Sequence, residues 1–433
     1  SRMRRTWLPL VAVLAFGVAI PAFAAPQAAP AGPAEVVLAL PDQSPAGAPD
    51  ALAGVLDPLL DDPSLGGSVG AIVLDVATGA VIYQREAAMP RSLASNQKVF
   101  TSLAILDALG PEGRIETTAS WDPSTSTLTL VGAGDPTLAS VSASGSSLAD
   151  LADQVVGQVT GEVSLQYDTS LFDGPTLAPG WAPDYPALGV AAPVSPLVVD
   201  RSRIGGDEAR QPDPARAAAD AFASLLADRG VTVGDISEGV TTGQVIATTT
   251  SEPVATMVET MLTESDNDMS EILGHLAGAE QSGVGSFDTG GAATLATLQS
   301  LGIPSSGSEF VDGSGLSYED VASPLTLASA VSLTSGAAAP SWTWPVVLGL
   351  PVAGLTGTLA DRFVDADTRP GAGFVRAKTG TLIGVSTLAG TVVDADGRLL
   401  AFAFMSDATT DVDSSRAALD RAAAALAACG CRG

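Results

Sequence analysis

Apolar residues recur with two different periods along this chain, and the period predicts which segments are strands and which are helices. Residues 72–76 and 80–83 are rich in β-branched side chains and flank a glycine turn, so they predict a hairpin. From residue 96 to residue 110 the apolar positions recur at helical spacing instead, and a second helical pattern runs from 254 to 277. The globular part therefore mixes strands and helices from its beginning.

The C-terminal part has the sequence pattern of a sheet. Residues 374–378, 386–393 and 399–405 have the composition of strands, and 394–397 supply a turn. A helical pattern from 414 to 428 follows them. Three successive antiparallel strands covered by helices predict an α+β fold.

The middle of the chain has a different character. Between 113 and 247, short β-like runs such as 127–131 are broken by glycine and proline, and one helix is predicted at 215–229. We interpret this stretch as an inserted β-rich domain. The first domain is then discontinuous and consists of residues 51–112 and 248–429.

The N-terminal segment has the features of an export signal. Within residues 1–24, three arginines precede an apolar run at 7–20, and Ala22-Phe23-Ala24 forms a small-x-small cleavage site. The apolar run is short for a bilayer crossing, although an uncleaved anchor stays an alternative. Residues 25–50 are an Ala/Pro-rich linker. We therefore expect the protein in the cell envelope or outside the cell.

Charge and composition exclude several classes of function. A formal charge of −28 with no Lys/Arg-rich run argues against a nucleic-acid surface. One histidine and two cysteines leave too few ligands for a zinc site, and we expect no metal or other cofactor. A disulfide between Cys429 and Cys431 would be strained, so we expect this pair in a frayed tail without a catalytic part.

Lysine is almost absent from the chain. Lys98 and Lys378 are the two lysines, and eighteen arginines carry the remaining positive charge. Arginine cannot lose its proton in a protein, whereas a buried lysine can, and it then serves as a general base. Lys98 lies three residues after Ser95 at the start of the first predicted helix, so both side chains share one face. This pair indicates a serine nucleophile activated by a lysine.

Three motifs occur in a characteristic order. Ser95-x-x-Lys98 comes first, Ser265-Asp266-Asn267 falls inside the second predicted helix, and Lys378-Thr379-Gly380 lies on a predicted strand. This set is shared by penicillin-binding proteins and serine β-lactamases. The single histidine, His275, lies on a predicted core helix, so a Ser-His-Asp triad is a poor alternative.

The chain resembles the low-molecular-mass class C penicillin-binding proteins, which are D-alanyl-D-alanine carboxypeptidases and in some cases endopeptidases. The resemblance runs from about residue 70 to residue 428. Beyond the three motifs, the segments that carry it are 132–138, 168–172, 178–181, 312–317 and 357–359, together with Arg362. It implies a transpeptidase-like domain, an antiparallel sheet covered by helices, with a β-rich domain inserted between the first two motifs.

The resemblance also implies a role for each motif residue. Ser95 attacks the bond between the terminal D-alanines of a peptidoglycan stem peptide, and Lys98 accepts its proton. Ser265 relays that proton to the leaving amine, and Asn267 holds a substrate amide. The substrate carboxylate lies at Lys378, Thr379, Gly380 and Thr381, and the backbone N–H groups of Ser95 and Thr381 form the oxyanion hole. β-Lactam antibiotics are then covalent inhibitors.

One position departs from the family pattern. Members that bind a charged side chain of the stem peptide have a basic residue directly after the Asp-Gly-Ser-Gly-Leu-Ser segment, where this chain has Tyr318. Asp168 matches the acidic partner in the inserted domain. The preferred stem peptide is therefore an open question, and Arg362 and Arg376 are alternative binding groups.

Two other functions remain to be distinguished. A secreted serine β-lactamase shares the three motifs, but the chain has neither a Glu-x-x-Leu-Asn segment nor a Tyr-x-Asn in place of residues 265–267. A non-catalytic wall-binding scaffold would not be expected to retain Ser95, Lys98 and Lys378 together. We therefore prefer the interpretation as a carboxypeptidase over both alternatives.

Overall fold

The structure is a computed structural model that describes residues 49–142 and 145–430. The predicted signal at 1–24, nearly all of the linker at 25–50 and Cys431 lie outside the described residues. Within the described ranges, no helix combines the length and the apolar character that a bilayer crossing requires.

A five-stranded antiparallel sheet is the centre of the first domain. Its strands, in the spatial order β10-β11-β12-β1-β2, are Val375–Leu382 (β10), Val385–Val393 (β11), Leu399–Ser406 (β12), Val69–Asp75 (β1) and Val81–Arg85 (β2). The predicted hairpin and the three predicted C-terminal strands are confirmed. The last of the C-terminal strands, β12, pairs with β1, so the hairpin and the C-terminal strands form one sheet.

Alternation along β1 explains how the sheet buries both faces. Ile72 and Leu74 contribute to one apolar core, and Ala71 and Val73 contribute to the other, because successive strand residues point to opposite sides. The helices of the domain cover these faces: Pro49–Leu60 (α1), Gln97–Leu109 (α2), Val254–Glu264 (α5), Asn267–Ser282 (α6), Phe287–Ser300 (α7), Pro324–Ser335 (α8), Trp344–Gly349 (α9) and Val412–Ala428 (α10). A two-stranded ribbon of Arg91–Ser92 (β3) and Val321–Ala322 (β9) completes it.

The middle of the chain forms a second sheet with its own core. In the order β7-β6-β5-β4-β8, its strands are Thr232–Glu238 (β7), Glu162–Asp168 (β6), Thr127–Val131 (β5), Glu116–Asp122 (β4) and Gln244–Thr250 (β8). The strand β6 is parallel to both of its neighbours, and two helices pack on the sheet, Leu148–Val155 (α3) and Pro214–Asp228 (α4). The sequence pattern did not predict α3. The domain boundaries stay predictions, and β8 extends three residues beyond the predicted limit at 247.

The prediction of one helix from 254 to 277 is wrong. The helix α5 ends at Glu264, Ser265 has the left-handed backbone angles φ 59° and ψ 42°, and α6 begins at Asn267. Asp266 caps the new helix, since its carboxylate accepts the backbone N–H of Met269 at 2.9 Å. Periodicity did not reveal the break because both helices bury one face in the same core. The second motif is therefore a corner between two helices.

A long loop of the inserted domain lies against the first domain. Trp181 and Leu316 belong to one small apolar cluster, against which Leu382 packs, and the indole N–H of Trp181 donates to Asp312 Oδ2 at 2.8 Å. This contact fixes the loop beside β10, the strand that carries the third motif.

Near the C-terminal end of the described residues, Cys429 packs against the core and is disulfide-bonded, contrary to the expected frayed tail.

Candidate active site

Ser95 lies in a short 3-10 turn, residues 94–96, directly before α2. Strand β11 holds this turn through Thr387, whose hydroxyl donates to the carbonyl of Leu93 at 3.0 Å. The same hydroxyl accepts from the side-chain amide of Asn96 at 2.7 Å. Ser95 is partly exposed while Asn96 and Leu93 are buried, so the turn presents one hydroxyl to the cleft.

Gly380 allows the strand β10 to approach this turn. A Cβ atom on Gly380 would lie 2.2 Å from Thr387 Oγ1 and 2.8 Å from the carbonyl oxygen of Leu93, closer than real contacts allow. Gly380 therefore acts through its lack of a side chain. The Lys-Thr-Gly motif needs glycine here because the strand and the turn that carries Ser95 touch.

The side chain of Lys98 is fully buried, and its Nζ has three hydrogen-bonding partners. Its Nζ is 2.8 Å from Asn267 Oδ1, 2.8 Å from the carbonyl oxygen of Ser314 and 3.1 Å from Ser95 Oγ. Asn267 and Ser314 present acceptors alone at these contacts, so they take two N–H bonds. A neutral amine then directs its lone pair at the Ser95 hydroxyl. The arrangement lets Lys98 accept the proton of Ser95.

Burial decides the charge state of Lys98. Desolvation lowers the pKa of its ammonium to about 8, and the acidic groups Glu271 and Asp312 oppose that shift. An unperturbed lysine has a pKa near ~10.4, so a much larger fraction of Lys98 is neutral near neutral pH. The site thus supplies a usable base.

Lys378 lies next to the corner formed by Ser265. Its Nζ donates to Ser265 Oγ at 2.9 Å and to the carbonyl oxygen of Thr379 at 2.9 Å. Burial, followed by the charges of Lys98 and Arg362, lowers the pKa of Lys378 well below its usual value. In the free enzyme Lys378 therefore loses its proton more readily than an exposed lysine does.

Beyond the lysines, hydroxyl groups and one arginine lie along the end of β10. Thr379 and Thr358 share a hydrogen bond of 2.8 Å between their hydroxyl oxygens. Arg416 of α10 donates through Nε to Thr381 Oγ1 at 3.3 Å, and its side chain is 42% exposed. This end of the cleft can bind an anion. Arg416 was missed in the sequence because its motif partner is 35 residues away on another element.

Comparisons with known proteins agree on one family. The model of the D-Ala-D-Ala carboxypeptidase 3 (S13) family matches residues 52–210 and 206–427. The chain belongs to this family. It is therefore a serine-type hydrolase of the carboxypeptidase class.

Individual relatives cover most of the chain. Carboxypeptidase DacB of Mycolicibacterium smegmatis is 35% identical over 425 residues, which are 95% of this chain and 91% of that protein. A D-alanyl-D-alanine carboxypeptidase of an Actinomadura species is 29% identical over 432 residues, 79% of each chain. The crystal structure of penicillin-binding protein 4 (dacB) from Haemophilus influenzae superposes with a TM-score of 0.72 at 22% identity, covering 87% of this chain and 98% of that one. The expected α+β fold of penicillin-binding proteins with an inserted domain is confirmed.

The carboxypeptidase brings most of the sequence-predicted residues together. Hydrogen bonds join Ser95, Lys98 and Asn267 in one group, and Lys378, Ser265 and Thr379 in a second. Ser265 and Asn267 belong to the same corner between α5 and α6, which places the two groups next to each other.

Asp168 stands apart from these groups. It is buried at the end of β6, and its oxygens accept the backbone N–H groups of Ser170 at 2.9 Å and Thr241 at 2.8 Å. These bonds give the carboxylate a structural task within the inserted domain. Its part in substrate binding stays a prediction.

Three further residues have defined places in the carboxypeptidase. Tyr318 is 46% exposed and its hydroxyl donates to the carbonyl of Ile383, at the turn between β10 and β11. Arg362 is held by both oxygens of Asp420, at 2.9 and 2.5 Å. His275 is buried between Phe172 and Phe287, and burial lowers its pKa to about 4, so it is neutral and packed.

The acylation rate is expected to rise with pH. With the neutral form of Lys98 proposed as the base, activity is expected to appear as the ammonium loses its proton, and the free-enzyme rate constant should increase through a midpoint near the pKa of about 8. The second-order rate constant for acylation by penicillin, measured from pH 6 to pH 10, checks this. A rate that is constant across that range would contradict the assignment of the base.

Proposed function

We propose that this carboxypeptidase is exported and hydrolyses the bond between the terminal D-alanines of peptidoglycan stem peptides. The observation that carries the proposal is the buried Lys98, whose two N–H bonds are taken by Asn267 and Ser314 so that its lone pair faces Ser95. The names of the relatives, carboxypeptidase DacB and D-alanyl-D-alanine carboxypeptidase, support it.

Acylation would proceed by proton transfer through Lys98. The Ser95 oxygen attacks the carbonyl carbon while Lys98 takes the hydroxyl proton, and the backbone N–H groups of Ser95 and Thr381 stabilise the oxyanion. The C–N bond then breaks, and the leaving amine of D-alanine receives a proton through the Ser265 hydroxyl. Water hydrolyses the ester on Ser95 and restores the enzyme. General base catalysis of this kind is worth ~10²- to 10⁴-fold in rate.

Binding of the substrate carboxylate can favour the neutral form of Lys98. Bound beside Thr379 and Thr381, this anion favours a proton on Lys378, whose pKa is lowered in the free enzyme. A cation at Lys378 in turn disfavours a cation at Lys98. Carboxylate binding and base activation are thereby coupled, which suits an enzyme that removes a terminal residue.

Arg416 is proposed as a further carboxylate-binding group. Replacing it in Arg416→Ala removes a permanent positive charge beside Thr381, and a charge-assisted bond contributes about 1.5–3 kcal/mol. We expect the preference for a peptide with a free C-terminal carboxylate over its C-terminal amide to fall by about tenfold or more. Specificity constants for the two peptides measure it, with Arg421→Ala on the same helix as the control. An unchanged preference would remove Arg416 from the site.

Tyr318 is proposed to weaken recognition of a charged stem-peptide side chain. Tyrosine offers one neutral hydroxyl, which already donates to Ile383, so the parent enzyme should discriminate little between stem peptides with and without a side-chain carboxylate. Tyr318→Arg should favour the carboxylated peptide by about tenfold. Specificity constants decide this. A parent preference of about a hundredfold would show that another residue, such as Arg376, binds the carboxylate.

β-Lactam antibiotics are proposed as covalent inhibitors that acylate Ser95. Support comes from a structural relative, penicillin-binding protein 4 of Haemophilus influenzae, which has been crystallised with a β-lactam (TM-score 0.64, 23% identity). Incubation with penicillin and with a peptide ending in D-Ala-D-Ala tests the function against its alternatives. We expect a long-lived adduct and released D-alanine. Rapid penicillin turnover without D-alanine release would indicate a β-lactamase, and neither event would indicate a scaffold.

A further inference from the structure

Glu271 is a fully buried carboxylate that the reaction described above leaves without a task. It lies on α6 one turn after Asn267, and its two oxygens accept the backbone N–H groups of Gly313 and Ser314 at 2.9 and 2.8 Å. Burying an ionised carboxylate is costly unless its acceptor positions are occupied. Both oxygens are used here as acceptors, which is the geometry of the ionised form.

The backbone segment that Glu271 binds also carries the carbonyl group that contacts Lys98. The carbonyl oxygen of Gly313 accepts the hydroxyls of Thr101 and Ser270, each at 2.6 Å, so this segment is fixed from both sides. The next carbonyl, that of Ser314, accepts the N–H of Lys98 at 2.8 Å. A small displacement of the segment would therefore rotate the amine away from Ser95.

We propose that Glu271 is a positioning residue for the acylation step: it fixes the Ser314 carbonyl, while the same helix turn supplies Asn267, the other acceptor of Lys98. This inference rests on the proposed function. The two acceptors, Asn267 Oδ1 and the Ser314 carbonyl, determine the direction of the Lys98 lone pair. Glu271 connects the Ser314 segment to α6, the helix that also carries Asn267. Proton transfer depends steeply on such alignment.

The charge of Glu271 also acts on the base. Among the acidic groups facing Lys98, Glu271 raises the pKa of its ammonium most, followed by Asp312, Asp266 and Asp320. The charge of Lys98 in turn lowers the pKa of Lys378. Burial and Asp312 raise the pKa of Glu271 itself, opposed by the two backbone N–H donors and by Lys98.

Two variants separate position from charge. Glu271→Gln removes the charge and can accept through one oxygen, so the maximal rate of penicillin acylation should fall about tenfold and the midpoint of its pH profile should move about one unit lower. Glu271→Asp keeps the charge but is one methylene too short for both N–H groups. We expect its maximal rate to fall while the midpoint stays at the parent value.

Three control variants complete the experiment. Asp320→Asn alters another buried acid of the same loop, which accepts the N–H groups of Val311 and Asp312, and it should move the midpoint less than Glu271→Gln. Thr101→Val and Ser270→Ala loosen the Gly313 carbonyl without changing charge, and each should lower the maximal rate at an unchanged midpoint. Thermal unfolding shows which variants are folded at the assay temperature.

The outcomes are distinguishable. If Glu271→Gln keeps the parent rate and midpoint, or loses rate with no shift of the midpoint, the proposal is overturned. If that variant does not fold, unchanged maximal rates in both Thr101→Val and Ser270→Ala would overturn it, because the placement of the Ser314 carbonyl would then not matter. A parent enzyme that penicillin does not acylate would contradict the proposed function instead.

Discussion

Lys98→Arg is expected to lower the acylation rate constant for penicillin by about 10³-fold, because arginine stays protonated and cannot take the proton of Ser95. The position is also fully buried, with Nζ held by Asn267 and the Ser314 carbonyl, and a guanidinium cannot reproduce a lone pair in that place. Stopped-flow measurement with a chromogenic or fluorescent penicillin gives the rate constant.

The matched control is the same substitution at the other lysine. Lys378→Arg places a permanent positive charge beside Ser265 and near Lys98, where the parent lysine has a lowered pKa, so we expect measurable acylation with a midpoint at lower pH than in the parent. Thermal unfolding of both variants confirms that they fold. Equal acylation by Lys98→Arg and the parent would show that the base is another group.

Ser95→Ala is expected to abolish covalent labelling by penicillin, since the nucleophilic oxygen is absent. The fold should be retained because the Ser95 hydroxyl is partly exposed and the turn is held by Thr387, Leu93 and Asn96. Intact mass spectrometry after incubation with penicillin measures the labelled fraction.

Another serine of the same cleft provides the comparison for Ser95→Ala. Ser265→Ala should still be labelled, at a rate reduced by about tenfold or more, because it loses the relay hydroxyl and keeps the nucleophile. Full labelling of the Ser95→Ala protein would assign the nucleophile to a different residue.

The parts of the fold that the sequence predicts are those with a local pattern. The strands β11 and β12 are runs of nine and eight mostly buried residues with a turn after Val393, and the helix α2 ends at a glycine. The corner at Ser265 was missed because helical periodicity continues on both sides of it. Only the backbone angles of Ser265 and the cap formed by Asp266 distinguish a corner from a continuous helix.

In the candidate site, too, the sequence predicts contacts between residues close in the chain and not those between distant residues. Ser95 and Lys98 meet because they are three residues apart across the junction of the 3-10 turn and α2, and this spacing is visible in the sequence. Their third partner, the Ser314 carbonyl, comes from more than two hundred residues away, and Glu271 acts through backbone groups that carry no sequence signal. Long-range contacts of backbone atoms are set by packing. A single sequence therefore proposes candidate reacting groups and does not show which backbone groups hold them.

Tandem mass spectrometry of the acyl-enzyme tests the central claim most directly. The protein is mixed with penicillin, quenched in acid and digested, and the residue that carries the adduct is located. The account predicts one adduct, on the hydroxyl of Ser95, formed faster as the pH rises through about 8. An adduct on Ser265 or on Ser314, or acylation of Ser95 at a rate independent of pH, would contradict it.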